Sequence, residues 1–404
     1  MPAWTGGLSG VPEGITFDPK TQHPPNPFPD DKIKYTITSK NMADYDALLT
    51  DGHKAMLKRV PGFKMNVYQS RRSCTVPKFV QEATKRNATT VELATDGARV
   101  AGGNMGTPFP ITPSATQLMW NHRLRYVPTR MMRYSRNVPV KADGSYEMIS
   151  LFQSQLSQWS DSAIERNGGA DLYVFRKDTL LAPPALAGVV DLVHEPISGP
   201  TALRKLWQYS PGTRRVRRVP DISYDSPGSS SGGMSTVDSL NGFDGPLDRY
   251  DWSTVGRRVS LMPYNSYMLV STKLEALIGR GSLNPDSLRY ESHRVWVVEA
   301  KLRADQKHAY HRRVLHLDED TYAILAAELY DGRGRLWRLQ ETHTINFYHV
   351  PVCLPVVETV YDLQGKSGYL ASSLINDERP LDVDAQALNP ASYAPEAIRS
   401  FTIR

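Results

Sequence analysis

The sequence predicts a mainly antiparallel β protein with a few helices laid against the sheet. Three observations carry this. Residues 294–363 form a succession of alternating apolar and polar segments joined by short turns, the pattern of a meander. Helical spacing is confined to a few short stretches, and no strand–helix–strand rhythm recurs, which argues against a doubly wound α/β enzyme. The 28 glycines and 29 prolines supply many turns without a collagen period.

The elements follow in order. Residues 1–38 are rich in Pro and Gly, with Pro24, Pro25, Pro27 and Pro29 close together, so neither a helix nor a central strand can propagate there. Trp4, Leu8, Val11, Ile15 and Phe17 make this stretch an extended arm laid over the protein. Residues 39–60 read as a helix, with Met42, Tyr45, Leu48, Leu49, Met56 and Leu57 at helical spacing and Pro61-Gly62 as the stop. A second short helix spans 77–86, with Pro at its start. A third spans 114–123, with Trp120 flanked by Leu118 and Met119.

From about residue 125 the character changes to strands and turns. Residues 204–209 and 214–219 read as two strands around the turn Ser210-Pro211-Gly212-Thr213. Residues 225–235 are Ser- and Gly-rich and read as a loop. Residues 252–267 contain alternating segments, and 272–279 read as a short helix with a glycine stop. Strands are then expected at 294–302, 313–317, 322–329, 335–347 and 351–363. The expected organisation is the arm, 1–38, followed by one domain, 39–404, with its most regular strands between 200 and 365.

Composition narrows the class. Apolar residues make up 40% of the chain, too many for a disordered protein. The net charge of +6 comes from 48 basic and 42 acidic residues mixed along the chain, not from a basic tail. The longest apolar stretch, 180–190, is broken by Pro183 and Pro184 and falls far short of the about 20 residues of a spanning helix. Two cysteines, Cys74 and Cys353, rule out a disulfide scaffold or a multi-cysteine zinc site. Each is either a small buried hydrophobe or, in an oxidising compartment, half of a disulfide.

Several motifs dissolve on inspection. Gly228-Ser229-Ser230-Ser231-Gly232 matches the nucleophile-elbow string but lacks the strand before it and the helix after it. Gly365-Lys366-Ser367 lacks the earlier glycine of a phosphate loop, since position 360 is Val. His308, His311, His316, His343 and His349 are spaced so that their rings diverge on strand and turn backbone. The basic runs Arg214-Arg215-Val216-Arg217-Arg218 and Arg123, Arg125, Arg130, Arg133, Arg136 read as solvated strand-edge charge, and no nucleic-acid motif accompanies them. Glu299, inside an apolar strand, is expected to pair with an arginine.

The aromatic and methionine residues carry the reading furthest. Met119, Trp120, Met132, Trp207, Tyr209, Met262, Trp296, Val298, Trp337 and Leu339 lie on predicted helices and strands. Such residues are ordinarily core. In an open curved sheet the same residues line a cavity for an apolar ligand, and these ten are the ligand-binding candidates. No catalytic residue, metal ligand or cofactor is expected.

Pro2-Ala3-Trp4-Thr5-Gly6-Gly7, Trp207-Gln208-Tyr209-Ser210-Pro211-Gly212-Thr213, Leu247-Asp248-Arg249-Tyr250-Asp251-Trp252, His293-Arg294-Val295-Trp296 and Leu317-Asp318-Glu319-Asp320 together resemble a proteobacterial family of unknown function. That family is described as outer-membrane lipoprotein-sorting-like and is related in fold to LolA and LolB. The resemblance runs over nearly the whole chain. It implies an open, strongly curved antiparallel sheet, an incomplete barrel, with helices covering its concave face. It also implies a signal peptide removed from this form, a periplasmic location, and an RND-type transporter and outer-membrane protein as partners. No catalytic residues come with it. The chain is longer than LolA or LolB and shows no lipobox cysteine near its start.

The expected function is therefore a periplasmic carrier or chaperone that holds a lipid-like ligand in its cavity. A structural adaptor docked on an RND-type transporter, without its own ligand, is one alternative. A lipid- or glycan-acting enzyme is the other.

Overall fold

The computed structural model describes residues 2–111, 113–162, 172–197, 204–219, 224–228, 230–365 and 368–399. The strands are β1 (Tyr35–Ile37), β2 (Met65–Val67), β3 (Glu92–Leu93), β4 (Val100–Ala101), β5 (Arg130–Val140), β6 (Ile149–Ser157), β7 (Leu172–Ala182), β8 (Val190–Pro196) and β9 (Lys205–Ser210). They continue with β10 (Arg215–Val219), β11 (Tyr250–Pro263), β12 (Tyr290–Leu302), β13 (Arg312–Asp318), β14 (Ile324–Tyr330), β15 (Leu336–Asn346), β16 (Cys353–Asp362) and β17 (Tyr369–Leu374).

Fifteen of these form one sheet, in the order β1-β2-β12-β13-β14-β15-β16-β17-β5-β6-β7-β8-β9-β10, with β11 alongside β12. Two meanders, β12 to β17 and β5 to β10, are thus zipped together by the antiparallel pairing of β17 with β5. The terminal strands of this path, β1 and β10, do not pair with each other, so the sheet stays open. This is the mainly antiparallel, unclosed sheet that the sequence predicts. Among the described residues, no helix is long and apolar enough to cross a membrane.

Helices are few: α1 (Asp51–Arg59), α2 (Lys78–Thr90), α3 (Ala115–Arg123), α4 (Tyr267–Ser271) and α5 (Leu274–Leu277). Ser114 starts α3 with a full capping box, its side chain and Gln117 satisfying each other's backbone N–H groups. The continuous helix expected over 39–60 is two pieces. A 3-10 segment, Met42–Leu48, gives way to extended backbone at Leu49 and Thr50, whose hydroxyl accepts from the His53 N–H and caps α1. A good N-cap within a helical pattern restarts the helix. α2 runs beyond the expected end at 86, and the helix expected at 272–279 is the single turn α5, which extended Thr272 and Lys273 separate from α4.

Both faces of the β12–β16 region are covered. On one, α1 packs Met56 and Leu57 among Leu339, Tyr290 and Tyr361. Two carboxylates sit within this apolar layer and are satisfied by the helix: the Gly52 N–H donates to Glu328 at 2.7 Å, and His53 Nε2 meets Glu341 at 3.1 Å. On the other face, α3 places Leu118, Met119 and Trp120 over Val298, Ala300, Leu315 and Leu329. The N-terminal arm crosses the β15–β16 end. Its Gly10 N–H donates to the Tyr348 carbonyl at 2.7 Å, and Phe17 packs edge-on against the Tyr348 ring. Cys74 and Cys353 form a disulfide, with Cα atoms 5.6 Å apart, tying the chain before α2 to the start of β16. Glu299 pairs with Arg312 at 2.6 Å and with Lys301 at 3.0 Å, as its strand position implies.

Candidate functional site

Strands β5 to β10 present rows of side chains across the sheet, because cross-strand partners share a face. The register aligns Arg133, Gln153, Asp178, Asp191, Gln208 and Arg217. These six form a polar ladder. Arg133 Nε donates to Gln153 Oε1 at 2.8 Å, and the Gln153 amide donates to Asp178 at 3.1 Å. On the far half the Gln208 amide donates to Asp191 at 2.9 Å, and Arg217 donates to Gln208 at 3.2 Å. Asp178 and Asp191 oppose each other at the centre.

This ladder is part of the wall of a cavity of about 730 Å³. The wall continues across β16 and β17 through Glu358, Val360, Leu370 and Ser372. Residues 224–228 and 230–244 run over it, contributing Tyr224, Ser231, Thr236, Leu240 and Phe243, and the C-terminal end of α3 adds His122 and Arg123. Apolar lining comes from Leu124, Val127, Met131, Met132, Leu151, Val174, Leu354 and Leu381. The volume lies within the roughly 300–1,000 Å³ typical of small-molecule pockets.

Charge is concentrated at one part of the wall. Asp244 accepts from Tyr173 at 2.7 Å and pairs with Arg176 at 2.8 Å and Arg204 at 3.1 Å. Glu195, just behind the lining, pairs with Arg204 and, at 3.4 Å, with Arg123. Burial pushes the Asp244 carboxyl up, but Arg176, Arg204 and Arg123 outweigh it and hold the group well below the usual carboxylate range. Arg125 and Arg133 differ. Arg125 donates to the His122 carbonyl at 2.6 Å; Arg133 donates to Gln153 and, at 3.3 Å, to Ser373. Among the described residues neither forms an ion pair, and burial lowers the pKa of both. Glu358 lies in the field of both, yet burial raises its carboxyl to about 7.

Of the ten cavity residues expected from the sequence, Met132 lines this cavity. Met119, Trp120 and Val298 are buried in the α3 core, with Trp296 and Trp337 packed at its edge. Leu339 lies under α1, and Met262 belongs to a separate apolar cluster near Cys74. Trp207 and Tyr209 pack against the Leu388 and Tyr393 segment. The reason is parity. Leu339 faces α1, whereas its neighbour Gln340 faces the cavity, and a shift of one residue exchanges the faces. With both faces buried over β13–β15, apolarity alone does not say which side holds the space.

Three of the arginines that read from the sequence as edge charge converge here, joined by Arg176 and Arg204, which belong to neither basic run. Arg123, Arg125 and Arg133 all line the cavity, and of the Arg214–Arg218 run only Arg217 does. A signal was present: Leu151, Gln153, Gln155 and Ser157 share one parity on β6, and Val174, Arg176 and Asp178 share one on β7. Polar residues recurring at every second position mark a wetted strand face.

The nucleophile-elbow string contributes Gly228, Ser230 and Ser231 to the cavity lining, and the other motifs fall elsewhere. The Ser230 hydroxyl accepts from the Asn137 amide at 2.7 Å within a turn. Lys366 and Ser367 lie outside the described residues. Of the histidines, His308 contacts Asp238 and His343 approaches Glu341, so they do not share one centre. A separate trio, His293, Asp318 and Asp320, has its ligand atoms within 4.8 Å of one another. Arg72 occupies the Asp320 carboxylate, and Tyr264 and Thr321 donate to Asp318 Oδ2. That leaves Asp318 Oδ1 and His293 Nδ1 facing each other at 4.0 Å. Burial and the Asp320 charge raise the Asp318 carboxyl to about 6.

An uncharacterized protein of Pseudomonas aeruginosa is 36% identical over 407 aligned residues, covering 100% of this chain and 89% of the relative. Among solved structures, a DUF1329 family protein from Desulfovibrio piger is similar at a TM-score of 0.46 and 14% identity, covering 67% of this chain and 92% of that one. A LolA superfamily protein from Nitrosomonas europaea is similar at a TM-score of 0.41 and 13% identity, covering 70% and 98%. The family model for proteins of unknown function DUF1329 matches residues 36–399, and the chain belongs to that family.

Proposed function

We propose that the protein is a carrier or chaperone that holds a lipid-like ligand in the cavity between β5–β10, β16–β17 and residues 224–228 and 230–244, within the cell envelope. The observation that carries this is a cavity of about 730 Å³ whose wall joins an apolar surface to a charged one. An acyl chain carried through water exposes apolar surface at a cost of about 0.8 kcal/mol per CH₂, so a concavity with an apolar wall is what such a cargo requires. The Cys74–Cys353 disulfide fits an oxidising compartment such as the periplasm. An RND-type transporter and an outer-membrane protein are the partners this reading implies. The volume is space that the protein's own side chains leave unfilled, which favours a ligand over a purely structural adaptor.

The test is mass spectrometry of organic extracts from protein purified out of its native envelope. The expected result is a lipid-like species at near-stoichiometric yield, lost in Val193→Trp, which fills the cavity from β8. An empty extract, together with no binding of fluorescent acyl probes by the purified protein, defeats the reading.

A further inference from the structure

Five guanidinium groups, of Arg123, Arg125, Arg133, Arg176 and Arg204, gather at one part of the cavity wall. Two carboxylates, Glu195 and Asp244, bind three of them. Arg125 and Arg133 are left with neutral acceptors only: a backbone carbonyl, an amide oxygen and a hydroxyl. The carboxyl whose field reaches both belongs to Glu358, and it makes no ion pair with either among the described residues. One of its oxygens is buried without a hydrogen-bond partner. Isolated buried cations are costly, and proteins ordinarily pair them. Here the unpaired charge faces the cavity beside an apolar wall of Met131, Leu151 and Leu354.

We infer that the ligand is an anionic amphiphile whose carboxylate or phosphate head is held by Arg125 and Arg133, with its chain on the apolar wall. This deepens the carrier reading and rests on it. A planar guanidinium offers paired donors to either head group, and a charge-assisted bond in a desolvated site outweighs its surface counterpart. Gln153 and Ser373 hold Arg133 in place, so its free donors are aimed before the ligand arrives. The site selects by charge, and the rest of the wall is tolerant of chain structure.

The experiment titrates the full-length, delipidated protein with dodecanoate, dodecyl phosphate and dodecanol at pH 6.5 and low salt. Equal chains isolate the head group. At least one anion is expected to bind tighter than the alcohol by about tenfold or more, given roughly 1.5–3 kcal/mol for a hydrogen bond to a charged group. Preference for dodecanoate identifies a free-acid ligand, and preference for dodecyl phosphate a phospholipid-like one. In Arg125→Gln and Arg133→Gln the advantage over dodecanol should fall to within about threefold while dodecanol affinity holds. Arg133→Lys, which keeps the charge, should retain part of it. Equal binding of all three, unmoved by the Gln variants, overturns the inference and leaves the carrier reading intact. Binding of none overturns both.

Discussion

Arg133 donates from Nε to Gln153 across the β5–β6 pair, and Gln153 passes the bond on to Asp178. The amide thus holds a cation on one side and an anion on the other, and it sets the spacing between them inside the cavity wall.

Replacing that amide tests the ladder. Gln153→Leu keeps the volume but leaves Arg133 and Asp178 without their shared partner, and Ser135 loses its acceptor as well. The expected loss is about 1–3 kcal/mol, read as a lower midpoint in urea unfolding with an unchanged slope.

Glu358 makes stability depend on pH. Its carboxyl is raised from 4.5 to about 7 by burial, so the folded state binds a proton more tightly than the unfolded chain. Its contribution is therefore full below pH 4.5 and is lost as pH rises through 7. The span corresponds to roughly 3 kcal/mol. Unfolding midpoints measured from pH 5 to 8.5 should decline for the native protein and flatten in Glu358→Gln. A slope unchanged in the variant would assign the pH dependence to another group, of which Asp318 is the first to examine.

The disulfide closes a loop spanning 279 residues of sequence separation. Removing it in Cys74→Ser/Cys353→Ser should cost about 2–5 kcal/mol. Dithiothreitol should lower the melting temperature of the native protein and leave that of the double variant unmoved.

Gly52 lies in α1, where alanine ordinarily gains about 1 kcal/mol of helix propensity. A Cβ there would come within 2.5 Å of Leu339 Cδ1, in the closely packed layer between α1 and β15. Overpacking should win, and Gly52→Ala should destabilise by about 1–3 kcal/mol in chemical denaturation. A stabilised variant would mean that α1 docks more loosely than its contacts with Glu328 and Glu341 imply.

Local pattern determined much of this protein. The alternation in 294–363, the helix over 114–123 and the turn at Ser210–Thr213 are decided by residues within a few positions of one another, so they are legible directly. The pairing of Glu299 followed from a carboxylate placed inside an apolar strand. What only the tertiary structure decided is which face of each strand meets empty space. Leu339 and Gln340 are adjacent and both buried, yet one meets α1 and the other the cavity. A period of two assigns residues to faces but does not say which face a helix will cover. Likewise Arg125 and Arg133 looked like solvated charge until the pairing of β17 with β5 set them beside Glu358. That pairing joins residues more than two hundred positions apart, and no local rule of spacing reaches so far.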